Sequence, residues 1–155
     1  MTQQHITLLS KRGMKELHKK VSELERRQKE TRAKLRDLDK GMSHEDRLSR
    51  VETLSELEAI EDELVSQKQL LRTSKLIPSK RTRLKVAIGS VVDLIDQQGR
   101  LFRYTLVDSV EVNPSDGRIS IESPLGSSLL GKTIQDTIDL SIGRSNRSLQ
   151  LVRIT

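Results

Sequence analysis

The chain has no cysteine and no tryptophan, and one phenylalanine and one tyrosine are its only aromatic residues. Without cysteine there can be no disulfide, no thiolate nucleophile and no Cys-ligated zinc. Phe102 and Tyr104 fall in one predicted strand, so there is no broad platform for stacking nucleobases. Long apolar runs are missing too. No stretch approaches the roughly 20 apolar residues of a membrane span, and Met1 to Leu9 contain no extended apolar run. A cytoplasmic protein with no membrane partner is expected. The three histidines, His5, His18 and His44, are far apart in sequence, which argues against a zinc site. Only 34% of the residues are hydrophobic while 32% are charged, a balance that suits a small core carrying a solvated arm.

What is present is charge, unevenly placed. The net charge is +6 and the sequence pI about 9.8. Residues 1–40 hold twelve Lys/Arg against six Asp/Glu, whereas residues 51–76 hold three against six. Two segments of opposite sign attract when they lie side by side, so the basic surplus alone does not require a nucleic-acid partner. A stand-alone nucleic-acid-binding coiled coil remains open on charge grounds.

Apolar periodicity divides the chain into two parts. Met14, Leu17, Val21, Leu24, Gln28, Thr31, Leu35 and Leu38 recur at alternating spacings of three and four, a heptad seam with two polar interruptions. Leu57, Ile60, Leu64, Gln67 and Leu71 repeat the pattern, preceded by Leu48, Val51 and Leu54. Ser10 and Ser43 are candidate helix caps, and Gly41 marks the break between the helices. A connection this short predicts an antiparallel helical hairpin over residues 1–76. At about 1.5 Å per residue, thirty residues make a finger on the order of 45 Å long, with its tip at Lys40 to Asp46. Ile77-Pro78-Ser79-Lys80 ends the second helix, because proline disfavours helical geometry before it and donates no backbone hydrogen bond; residues 77–84 form a linker. Strands are predicted over residues 85–155 at Ser90–Ile95, Leu101–Val107, Arg118–Ile121, Thr137–Ile142 and Leu149–Ile154, with turns at Gln97-Gln98-Gly99 and Asn113 to Gly117. A short helix ending at Gly131 lies between the third and fourth strands. The fold class is α+β, a helical hairpin followed by a small antiparallel sheet with one short helix.

Three stretches carry a resemblance. Leu9-Ser10-Lys11-Arg12-Gly13-Met14-Lys15-Glu16-Leu17, Val86-Ala87-Ile88-Gly89-Ser90-Val91-Val92 and Ser123-Pro124-Leu125-Gly126-Ser127-Ser128-Leu129-Leu130-Gly131-Lys132 resemble, in the same order, stretches of the bacterial GreA/GreB transcript-cleavage factors and their relatives. The resemblance implies an FKBP-like C-terminal domain that docks at the rim of the secondary channel of RNA polymerase. It also implies a coiled-coil finger that threads the channel toward the active site. The implied partner is bacterial RNA polymerase, with nascent RNA met indirectly, and the implied state is a monomer. No cofactor is implied in the free protein; a Mg2+ ion would be shared with the polymerase active site. A peptidyl-prolyl isomerase, the other activity an FKBP-like domain brings to mind, would need more aromatic lining than this chain has to give.

In cleavage-competent members of that family the tip reads Gly-Asp-Leu-x-Glu-Asn, and two carboxylates on one face help hold Mg2+ and its water against the RNA. A hard cation keeping most of its waters needs one or two carboxylates. Matching Gly41 to the family glycine puts Met42 and Glu45 at the acidic positions; setting the register from Ile77 puts Ser43 and Asp46 there. Either way one acid is missing, and adjacent Glu45 and Asp46 diverge by about 100° on a helix. Asp39 lies across the turn. By resemblance the site residues are Glu45 and Asp46 for catalysis, Asp39, Glu45 and Asp46 for a metal held only within polymerase, and Ser123, Pro124, Leu125 and Gly126 for polymerase binding. Lys29, Arg32, Lys34 and Arg36 are the residues placed near nucleic acid. Plainer readings stand beside these. First-turn acids after a Ser43 cap stabilise a helix start, basic residues of the first helix pair with Glu56, Glu58, Glu61, Asp62 and Glu63 of the second, and Asp108, Glu111 and Asp116 are ordinary neighbours of a turn.

Overall fold

A computed structural model describes residues 5–41, 43–78 and 83–155. Met42 and the linker residues Ser79 and Lys80 lie outside the described residues. The chain forms two compact units, one of residues 1–5 and 12–74 and the other of residues 6–11 and 75–155. Residues 6–11, read from sequence with the hairpin, thus group with the C-terminal unit.

The first unit is the hairpin. Helix α1 spans Lys11–Leu38 and helix α2 spans His44–Thr73. The alternating three-and-four spacing on α1 buries Leu17, Val21, Leu24 and Thr31 and half-buries Gln28, Leu35 and Leu38. Val21 and Leu24 pack with Ile60 and Leu64 of α2, so the apolar core of the finger lies away from its tip. Opposite charges lace the antiparallel helices, as the charge asymmetry predicts: Lys20 with Glu63 at 2.8 Å, Lys68 with Glu25 at 3.0 Å and Arg32 with Glu61 at 2.7 Å. Exposed pairs of this kind contribute little individually, so burial at the core sets most of the stability.

The distal part of α2 departs from the predicted seam. Leu48, Val51 and Leu54 are 55%, 66% and 42% exposed, while Thr53 is buried in their place. The reason is geometric. A spacing of three advances about 300° around a helix, so each repeat falls about 60° short of a full turn. The run Leu57, Leu54, Val51, Leu48 therefore walks off the contact face, and Thr53 with Ser49 turns inward.

Helix α2 also ends earlier than Pro78 requires. Ser74 is its extended C-cap, and Ser74–Leu76 becomes strand β2, paired with strand β1, Thr7–Leu9. The ribbon is extended by the Ile77 amide, which donates to the Leu9 carbonyl at 2.9 Å.

The second unit is built on a five-stranded sheet of β3 (Val91–Asp96), β4 (Leu101–Val107), β5 (Arg118–Ser120), β6 (Thr137–Ile142) and β7 (Ser145–Ile154), in the order β5-β4-β3-β7-β6. Three of its pairings are antiparallel as predicted, whereas β5 runs parallel to β4. The strand read as Leu149–Ile154 begins earlier, at Ser145, where it closes a tight hairpin with β6. Alternate residues of the central strands face one side, where Val92, Leu94, Leu106, Leu149 and Leu151 form the core with Leu129 of helix α3, Pro124–Leu129. Gly117 closes its turn in the left-handed region at φ 69°, which favours glycine. Glu111 is buried, and its carboxylate accepts from both the amide (2.8 Å) and the hydroxyl (2.5 Å) of Ser10. Among the described residues no helix is long and apolar enough to cross a membrane.

These placements separate two substitutions on one helix. Ile60→Ala removes a buried side chain and is expected to cost about 2–5 kcal/mol. Val51→Ser changes an exposed position and is expected to stay within about 0.5 kcal/mol. Thermal unfolding followed by helical circular dichroism checks the difference.

Candidate functional site

Two places bring together the residues that carry chemistry, one in each unit. The first is the hairpin tip. Ser43 caps α2 with extended backbone, and its hydroxyl oxygen accepts from the Asp46 amide at 3.0 Å. Asp46 answers with one oxygen, which accepts from the Ser43 amide at 3.2 Å and from the Ser43 hydroxyl at 2.6 Å. This reciprocal box satisfies helix-start donors that would otherwise have no partner. Hydrogen bonds from the Ser43 side chain and then its backbone hold the Asp46 carboxyl below the usual aspartate range. Gly41 lies against the same carboxylate, so closely that a methyl group there would collide with it.

Asp39 is engaged as well, its carboxylate meeting Arg50 Nε at 2.6 Å. Leu38, Asp39, Gly41, Asp46, Arg47 and Arg50 line a shallow hollow of about 200 Å³. Glu45 and His44 are exposed in the first turn of α2. The three acids assigned to metal by resemblance are therefore turned to three different tasks or directions, and among the described residues no group of three His, Cys, Asp or Glu side chains converges. A Mg2+ ion needs carboxylate oxygens free to share one octahedral shell. Here one oxygen of Asp46 is engaged by the cap and Asp39 by a guanidinium, while Glu45 stays exposed.

The basic residues divide between the two readings. Arg32 donates to Glu61 at 2.7 Å alongside Gln28 at 3.2 Å, and the bond from Arg32 leads in holding the Glu61 carboxyl low. Arg27 reaches Glu56 at 3.8 Å. Lys29, Lys34 and Arg36 form no ion pair with any described residue and keep their charge for solvent or a partner.

The second place is an apolar groove of about 400 Å³ in the C-terminal unit. Phe102 and Tyr104, at i and i+2 on β4, point to the same side and stack with ring centroids 6.4 Å apart and planes 5° from parallel. Ile119, Pro124, Leu125, Leu140 and Leu149 complete its apolar wall, and Asp96, Ser123 and Arg147 stand at the rim. Ser123 shapes the α3 side of the groove: its hydroxyl donates to the Ser120 carbonyl at 2.6 Å and accepts from the Gly126 amide at 3.0 Å. Gly126 is buried against the Ser120 carbonyl, where a Cβ would strike the backbone. Of the four residues assigned to polymerase binding by resemblance, Ser123, Pro124 and Leu125 thus face the groove and Gly126 supports it from below. The aromatic pair was not predicted as part of a site, although its spacing of two on a strand was the available signal.

The acids of the neighbouring turns are occupied locally. Asp108 accepts from the Val110 amide at 3.1 Å, Glu111 holds Ser10, and Asp116 pairs with Arg118 at 3.1 Å. These contacts favour the plainer reading of all three.

The cap makes the tip sensitive to acid. Because the folded Asp46 carboxyl titrates below its unfolded value, its stabilising effect is complete above the unfolded value and is lost as pH falls through the folded one. Amide exchange across the first turn of α2 is expected to accelerate as pH is lowered below the usual aspartate range, after correction for intrinsic exchange. Ser43→Ala is expected to cost about 1 kcal/mol of helix stability at neutral pH and to flatten that dependence.

With this geometry in place, the chain can be set beside known proteins. Residues 81–155 match the family described as "Transcription elongation factor, GreA/GreB, C-term". The chain is 31% identical over 105 residues to the transcription elongation factor GreA of Caldanaerobacter subterraneus subsp. tengcongensis, covering 66% of this chain and 67% of that protein. It is 33% identical over 86 residues to GreA of Zymomonas mobilis subsp. mobilis, covering 56% of this chain and 54% of the relative, so the match spans about half the length of that relative. A solved structure of the transcription factor Gfh1 aligns over 97% of each chain at 25% identity with a TM-score of 0.46.

Proposed function

We propose that this chain, which belongs to the GreA/GreB family of transcription elongation factors, acts on bacterial RNA polymerase by inserting its helical hairpin into the secondary channel. There it modulates paused or backtracked complexes by occupying the channel, and it does not supply metal-binding acids for transcript cleavage. The single observation that carries this reading is the commitment of the tip: Asp46 closes its own helix cap and Asp39 is paired with Arg50. A finger with these contacts retains length and charge for reaching into a channel while two of its three candidate acids, Asp39 and Asp46, are engaged within the hairpin.

The groove supports the docking half of the proposal. An apolar hollow with two stacked aromatics, bounded by Pro124 and Leu125 and rimmed by Asp96 and Arg147, suits an apolar side chain from a protein partner flanked by charged neighbours. Lys29, Lys34 and Arg36, which have no ion pair among the described residues, suit phosphates of RNA close to the finger by charge alone.

Competition on purified polymerase tests the reading. The full chain is expected to bind core polymerase and displace a cleavage-active Gre factor from it, lowering the RNA cleavage that factor stimulates. Leu125→Lys, which puts a charge into the apolar groove, is expected to weaken binding by about tenfold or more. A chain that binds polymerase with no effect on an active Gre factor would contradict channel occupancy, and absence of binding would contradict the whole proposal.

A further inference from the structure

On the side of α2 away from its buried Thr53, Ile60 and Leu64, a second stripe faces solvent. Arg47, Val51, Leu54 and Glu58 follow one another at spacings of four, three and four, which keeps them within about 60° of each other around the helix. All four are exposed. The neighbouring charges are spent inside the hairpin, in the pairs Arg27–Glu56, Arg32–Glu61 and Arg50–Asp39. Arg47 and Glu58, by contrast, form no ion pair with any described residue. The stripe is also its own complement in reverse. Its spacings are the same from either end, two apolar residues sit in the middle, and the two ends carry opposite charge.

We propose that this stripe is a self-association site whose occupant is the same stripe of a second copy of the chain, laid antiparallel about a two-fold axis. Val51 then meets Leu54 of the second copy and Arg47 meets its Glu58, and symmetry repeats each contact. The alternating spacing is that of a coiled-coil seam. Charge selects this alignment over others. Parallel pairing sets Arg47 on Arg47 and Glu58 on Glu58. Sliding the antiparallel copies until Val65, also exposed, meets Val51 opposes Glu58 with Glu58, and like charges face to face are repulsive. Two apolar side chains from each copy meet, together as many as the buried core that holds the hairpin itself. Joining two chains costs more freedom than closing one hairpin, and the contact is smaller than a standard interface, so the dimer is weak and depends on concentration. The monomer implied by resemblance is one side of that equilibrium. The inference stands on the hairpin alone and is independent of any action on polymerase.

Sedimentation equilibrium of the full chain, from about 10 μM to about 1 mM, tests the proposal. The weight-average mass is expected to climb from 17.6 kDa toward twice that value. Glu58→Arg sets positive charges opposite each other and Arg47→Glu sets negative ones, and each alone is expected to weaken association by about tenfold or more. An equimolar mixture of these two single variants is expected to recover it, because each copy then offers the charge the other lacks. Val51→Ser, which changes only the apolar centre of the stripe, is expected to weaken association as well, with helical circular dichroism showing that each variant is folded. A mass that stays at one chain over the whole range would overturn the proposal. So would a dimer that Glu58→Arg leaves unchanged, or a mixture that fails to recover association.

Discussion

The hairpin turns on one carboxylate. Asp46 accepts from both donors of Ser43 while Ser43 accepts from Asp46, and this box starts α2 directly after the reversal. Gly41 must approach that carboxylate closely, so the turn, the cap and the glycine form one unit. Because that oxygen accepts two hydrogen bonds from Ser43, the structural requirement at the tip engages one of the candidate acids. Arg50 engages another, Asp39.

The rest of the finger follows from a shortage of apolar residues. A core of Val21, Leu24, Ile60 and Leu64 holds the helices together away from the tip, and ion pairs of small individual worth align them elsewhere. Stability is therefore graded along the arm, with the distal turns resting on a cap, an ion pair and a polar seam. In the C-terminal unit the economy takes another form. Both aromatic residues are placed on the same side of β4, where they line a groove and pack against the sheet core, and the Ser123 cap with Gly126 behind it fixes the opposite wall.

Much of this was legible in the residues. The seam of α1 could be read because its spacings alternate between three and four, which keeps successive residues on one face. The distal seam of α2 could not, because Leu48, Val51, Leu54 and Leu57 are each three apart and a run of threes drifts around the helix. The Ser43 cap was visible, but the reciprocal role of Asp46 competed with its role as a family-like acid, and only the hydrogen bonds decide between them. Strands β1 and β2 are three residues each, too short for a period to register. The parallel pairing of β5 depends on the path of the turns at Ser109 to Gly117, which carries no local alternation. At the groove, Ser123 to Gly126 is legible by resemblance, whereas two aromatic residues are too weak a signal to mark a pocket. Two rings on one strand face suffice when aliphatic residues complete the wall.

The central claim is that the tip acids serve the hairpin and not catalysis. Its most direct test is RNA cleavage in a purified, deliberately backtracked elongation complex with Mg2+, followed with and without saturating protein and with Glu45→Ala and Asp46→Ala variants. The account predicts no acceleration over the cleavage rate of polymerase alone, with the unsubstituted chain and both variants alike. Acceleration by the unsubstituted chain that either substitution abolishes would contradict it, because those acids would then be acting on the transcript within the enzyme.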